Sequence, residues 1–197
     1  MDAALVTAFL AAAIPSFFTP GPNNLMLMTS TARFGVGRTV PHMLGVSIGF
    51  PVMVFVVGLG LGEIFTQYPW LQVVLRYAAA AYFLWMAWHL LGFKIGAVGG
   101  RERPIGFLQG MAFQWVNPKA WAMAVSLAAV FVQPDSARIP SLVLLTLGCL
   151  SLSPFSSLLW MVFGQQLEAI LRRTGGERFL GAVLAGLMVV AIVLFLL

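Results

Sequence analysis

Apolar residues in this chain come in long, nearly uncharged runs, and that pattern constrains the fold more than any single motif. Six stretches are long enough to cross a bilayer: about 3–31, 39–62, 69–92, 105–132, 140–165 and 179–197. A helical span needs about 20 residues, and the excess in the first and fourth stretches is room for tilt or a break. Sixty per cent of the residues are hydrophobic and 9% are charged, against roughly 25% charged in a soluble domain. A soluble core of 197 residues could not hide that much apolar surface. The sequence therefore predicts an all-α polytopic membrane protein: six transmembrane helices in a single transmembrane domain, residues 1–197.

The net charge of +5 belongs to topology rather than to nucleic acid, because the basic residues sit in short loops and no aromatic–basic platform accompanies them. Arg33 and Arg38 follow the first stretch, Lys94, Arg101 and Arg103 the third, and Arg172, Arg173 and Arg178 the fifth. The opposite side has Arg138, while Arg76 and Lys119 fall inside stretches. The positive-inside rule puts the three basic loops in the cytoplasm and both termini outside. Residues 11–13 imitate a signal-peptide cleavage site, but the only charge before them is Asp2, and a cleaved signal has a basic start. The expectation is an uncleaved first span. Cys149 is the only cysteine, so neither a disulfide framework nor a cysteine metal cluster is expected.

An even split gives halves of about 1–100 and 101–197, each with three spans and therefore oppositely oriented. The first span holds "TPGPNN", Thr19 to Asn24; the fourth holds "QWVNPKAW", Gln114 to Trp121. Proline removes a backbone donor and clashes with the turn before it, so Pro20, Gly21 and Pro22 break the first helix and Pro118 breaks the fourth. Freed backbone groups in lipid cost several kcal/mol each unless protein or a water-filled cavity meets them. Paired interruptions in two inverted halves point to a transporter's substrate site. The alternative is a pair of proline kinks with no role in binding.

Lys119 lies fourteen residues into the fourth stretch, roughly 20 Å along a helix. A cation at that depth faces a bundle interior or an aqueous cavity, unless its stem snorkels to an interface. Asp2, Glu63, Glu102, Asp135, Glu168 and Glu177 all read as loop or span-end residues. A site for a cationic amino acid or a metal would want a buried carboxylate. The candidate substrate is therefore a net-neutral amino acid whose carboxylate meets Lys119. Asn23, Asn24 and Asn117 join Lys119 as candidate ligands, with Thr19 and Gln114 behind them. The broken segments, Pro20, Gly21, Pro22 and Pro118, are candidate hinges. Arg76, His42 and His89 read as interfacial, with a proton-relay role for the histidines left open. Gly45/Gly49, Gly58/Gly62 and Gly106/Gly110 read as small-residue pairs that let helices approach. There is no catalytic triad, HExxH or Walker pattern, and so no enzyme, cofactor or metal centre is expected.

Together "TPGPNN", "ARFGVGRTVPHMLGVSIG" (Ala32–Gly49) and "NPKAW" (Asn117–Trp121) resemble the LysE/RhtB family of amino-acid exporters over nearly the whole chain. The resemblance implies export of amino acids or close derivatives across the bacterial inner membrane, driven by an ion gradient, with the proton as candidate coupling ion and a homo-oligomer left open. Within the family, "GVSIGF" (Gly45–Phe50), "WMAWHL" (Trp85–Leu90) and "FQWVNPK" (Phe113–Lys119) look most like the branch that exports cysteine and O-acetylserine. Threonine- or homoserine-like substrates are the neighbouring option. Many relatives carry an Asp where this chain has Phe50, which agrees with a neutral substrate. Two rival readings stay open: a membrane scaffold with no transported substrate, and a metal-ion exporter, the latter weakened because neither histidine nor the cysteine adjoins a break.

Overall fold

The computed structural model describes residues 3–61, 67–91, 103–133, 135–176 and 179–196, and its regular structure is helical throughout. The α-helices are α1 (Ala3–Phe18), α2 (Pro22–Phe34), α3 (Val36–Val56), α4 (Trp70–Leu91), α5 (Phe107–Phe113), α6 (Pro118–Phe131), α7 (Arg138–Arg173) and α8 (Leu180–Leu196). Two of them, α3 with its continuation to Gly60 and α7, are long and apolar enough to cross a membrane unaided. α1 and α2 pass the same length and composition test only as a pair, bent by 49° at the break between them, the geometry of a broken span or a re-entrant loop. The predicted stretches 69–92, 105–132 and 179–197 fall on α4, on α5 with α6, and on α8. Of these, α6 is a shorter apolar helix of 14 residues.

Two boundaries differ from the sequence reading for local reasons. The gap expected between residues 31 and 39 is a single residue, Gly35, at φ 81°. That left-handed conformation is open to glycine, and it ends α2 and starts α3 with no loop. The fifth stretch, expected to end near Gln165, continues as helix to Arg173. Its extra turns are built from good helix formers and carry a Glu168–Arg172 ion pair one turn apart. It stops where Gly175 takes φ 65° and Gly176 N–H closes onto the Leu171 carbonyl at 2.8 Å.

α7 is the central post, packed against α2 and α3, while α3 also packs on α5 and α4 pairs with α8. Small residues set these distances. A Cβ added at Gly164 would collide with the Met28 backbone carbonyl, and one at Gly45 with that of Phe107. At Gly49 it would lie 2.8 Å from Met111 Cα, and at Gly110 2.9 Å from the His42 carbonyl. The expected role of Gly45, Gly49 and Gly110 in close helix approach is thus visible. Gly106 instead precedes α5, where its N–H donates to Gln109 Oε1 at 2.9 Å, and Gly62 lies outside the described residues. Large apolar side chains face outward all round, with Trp88 74% and Phe155 66% exposed. Such a surface suits lipid, not water.

Candidate functional site

Both interruptions fold alike. After α1 the chain passes through Thr19 and Pro20 to Gly21, which is fully extended (φ −173°, ψ 177°), and Pro22 opens α2. After α5 a short 3₁₀ turn (Gln114–Val116) leads to extended Asn117 (φ −87°, ψ 107°), and Pro118 opens α6. In each case proline occupies the first helical position, where its missing N–H is no loss. Asn117 caps α6, its Oδ1 accepting the Lys119 N–H at 3.1 Å.

The carbonyls freed at the end of α1 are met by side chains from three other elements. Phe17 O accepts from Asn24 Nδ2 (2.9 Å) and from Ser156 Oγ (2.7 Å). Thr19 O accepts from Asn24 Nδ2 (2.8 Å) and from Lys119 Nζ (3.0 Å). Lys119 Nζ also donates to Thr19 Oγ1 at 2.9 Å and to Pro20 O at 3.4 Å. The ammonium thus sits at the negative end of the α1 dipole, where a cation is favoured, and ties the second break to the first. A reciprocal amide pair adds another tie: Asn23 Nδ2 donates to Gln114 Oε1 (2.8 Å) and Gln114 Nε2 to Asn23 Oδ1 (3.1 Å). Gln114 Nε2 also satisfies Gly110 O at 2.9 Å.

Between the breaks lies a cavity of about 40 Å³. Asn23, Asn24, Asn117 and Lys119 line it, as do Gly21 and Pro22. Thr19 and Gln114 do not; they hold Lys119 and Asn23 in place. Pro20 is exposed and Pro118 shapes the start of α6. Phe17 and Phe50 close one side, edge to face at 5.2 Å between ring centres. No Asp or Glu is among the lining residues. A void of this size takes a few waters at most, so an amino acid fits it only if the surrounding helices move apart. Polar groups missed by the sequence reading complete it: Ser153, Ser156 and Ser157, grouped around Pro154 on α7. A cluster of serines about a mid-span proline was the available signal.

Other residues fall elsewhere. His42, expected near an interface, is wholly buried where α3 meets α5, and neither ring nitrogen has a hydrogen-bond partner. The close approach of Gly110 brings that backbone against its ring. Arg138 donates twice to the Gly58 carbonyl, at 3.1 and 3.3 Å. The side chains of Arg76, His89 and Asp135 lie outside the described residues, as do Asp2, Glu63, Lys94, Arg101, Glu102, Glu177 and Arg178.

Set beside known proteins, residues 14–197 match the family model described as LysE type translocator. This chain belongs to the LysE family. A membrane translocator family agrees with the apolar helices described above, and its model covers all but the first 13 residues. Among relatives of this LysE-family chain, the cysteine/O-acetylserine efflux protein of Klebsiella pneumoniae subsp. pneumoniae is 27% identical over 96% of this chain and 95% of its own length. The proteins of the same name in Escherichia coli (strain K12) and Shigella sonnei are each 28% identical over 96% of both chains. No solved structure matches the chain.

Proposed function

We propose that the chain is a secondary exporter of small neutral amino acids or their derivatives, cysteine- and O-acetylserine-like or threonine- and homoserine-like, across a bacterial inner membrane. The observation that carries this reading is the meeting of two proline-led helix starts around one small polar cavity, bridged by Lys119. The names of its relatives point the same way. A zwitterion arriving in the cavity would offer its carboxylate to Lys119 in exchange for the Thr19 and Pro20 carbonyls. Its ammonium would find the carbonyls so released and the amides of Asn23, Asn24 and Asn117. The lack of a lining carboxylate favours such a head group over a cationic substrate. Six spans in two inverted halves, with both termini outside, fit the two breaks as symmetry mates, and rocking of the halves about them would alternate access.

The test is efflux from vesicles loaded with a panel of neutral amino acids. Lys119→Ala should abolish efflux while the protein still reaches the membrane in wild-type amount. Efflux at the wild-type rate by that variant would remove Lys119 from the site. A scaffold would show no efflux from the wild-type protein, and cysteines placed at positions 23, 117 and 119 would resist water-soluble reagents.

A further inference from the structure

A second, larger cavity of about 330 Å³ lies at the other end of three of the helices that wall the candidate site, α1, α6 and α7. It is bounded by the start of α1, the end of α6 and the first turns of α7, with Gln133 and Ser141 at its rim. Its relation to the small cavity follows from helical spacing. On α1, Leu5 and Phe9 line the large cavity and Phe17 the small one, with Ala13 between, all at intervals of four and so on one face. On α6, Phe131 lines the large cavity and Ala120 the small one, with Ala124 and Leu127 between. On α7, Leu145 and Ser153 line opposite ends, with Cys149 between. The two cavities therefore share one seam, separated by about 12 Å of helix rise.

The wall between them has a particular build. Its middle is formed by Ala13, Ala124 and Cys149, all 0% exposed, and these are among the smallest side chains available. Its outer end is shut by Phe9 and Phe131, edge to face at 5.8 Å. Phe9 also lies over Gly148, where an added Cβ would come within 2.9 Å of its ring. These three residues belong to one apolar cluster with Phe9, Phe17, Leu127 and Phe131, where small side chains let α1, α6 and α7 approach closely. The same build suits a passage that opens and closes along that line, because only the two aromatic side chains at its end have to turn aside.

We propose that this seam is the exit path, that the large cavity is its outer vestibule, and that Phe9 and Phe131 form the gate. The Ala13–Ala124–Cys149 throat then selects cargo by size and passes amino acids with short side chains. The proposal rests on the exporter reading above and adds to it a route, a gate and a size limit.

Cys149 is the chain's single thiol, so the unmodified protein carries its own reporter. A small, water-soluble, cationic thiol reagent is supplied on both faces of proteoliposomes, and Cys149 labelling is followed by mass spectrometry with and without a loaded cysteine-free substrate such as O-acetylserine. Labelling should be slow in empty vesicles and accelerate while substrate leaves. Phe131→Ala should label about tenfold faster than wild type without substrate, the ratio that an aromatic pair of this kind is worth. Labelling that ignores turnover while efflux proceeds would overturn the seam and leave the exporter reading standing. Absence of efflux by the wild-type protein for every amino acid in the panel would overturn both. Because the first comparison uses the wild-type chain alone, it holds even where Phe131→Ala fails to fold.

Discussion

Gly21 and Lys119 meet so closely that each decides what the other can be. A Cβ at position 21 would lie 2.7 Å from Lys119 Cδ and 2.9 Å from its Nζ. Gly21 is extended (φ −173°), a conformation open to any residue, so alanine there meets no backbone strain. The conflict is with the flexible end of one side chain, which can swing away. Gly21→Ala should therefore fold and insert as wild type but lose the Lys119 contacts to Thr19 and Pro20. With the ammonium moved from where a substrate carboxylate would meet it, a charge-assisted contact worth about 1.5–3 kcal/mol is lost, so initial efflux rates should fall roughly ten- to a hundredfold. Unchanged efflux from this variant would show that the lysine need not sit where it does. At this scale the sequence was informative about breakers and charge, because prolines, amides and a lysine stand out in an apolar run. The grouping of serines about Pro154 marked a place but not their partners. Thr146 and Ser151 bond back to the carbonyl four residues earlier on their own helix, as hydroxyls in helices do. Ser156 instead reaches Phe17 O on another element. Nothing local to the sequence separates the two behaviours.

Among the elements, the contacts that position the broken helices are made through glycines, and they separate into testable kinds. Gly164 faces the Met28 backbone on α2, and Gly45 faces that of Phe107 on α5; neither partner can move without its helix. Gly186 on α8 has open space where a Cβ would go. Gly164→Ala and Gly45→Ala should each destabilise the folded protein by about 1–3 kcal/mol, the usual range for overpacking. Gly186→Ala should be neutral or stabilising by up to about 1 kcal/mol, since alanine is the better helix former. Thermal unfolding in detergent, read as the temperature at which the monodisperse fraction is lost, distinguishes them. Equal behaviour of Gly164→Ala and Gly186→Ala would mean that the α2–α7 approach is not as tight as described. The Gly45/Gly49 pair was legible because its members are four apart on one face. Gly164 has no glycine partner at that spacing, so its contact with Met28 is visible only once α2 and α7 are side by side.

Across the whole molecule, the distribution of charge and the packing agree on which ends of the helices lie together. Ala32, Ile105 and Leu171 belong to one apolar cluster, and Arg33, Arg103 and Arg172 each follow or precede one of them by no more than two residues. Arg138 is at the opposite end of α7 from Leu171, where its guanidinium is held by the Gly58 carbonyl. Its place is thus accounted for by a hydrogen bond to the end of α3, and it does not weaken the charge asymmetry counted from the sequence. The order of the apolar stretches made this arrangement legible in outline; the 49° bend and the one-residue joint at Gly35 were not, because both depend on how neighbouring helices fill the space. The arrangement makes a prediction about direction. A phosphatase that works only in the periplasm should be active when fused after Leu197 and inactive when fused after Gly175, since α8 alone separates the two points. A cytoplasmic reporter should give the opposite pattern. Activity of the same reporter at both points would mean that α8 does not cross. The inverted pattern would turn the molecule over, leaving the vestibule at the Phe9–Phe131 end open to the cytoplasm, and the seam would then be the entry path to the site and not the exit.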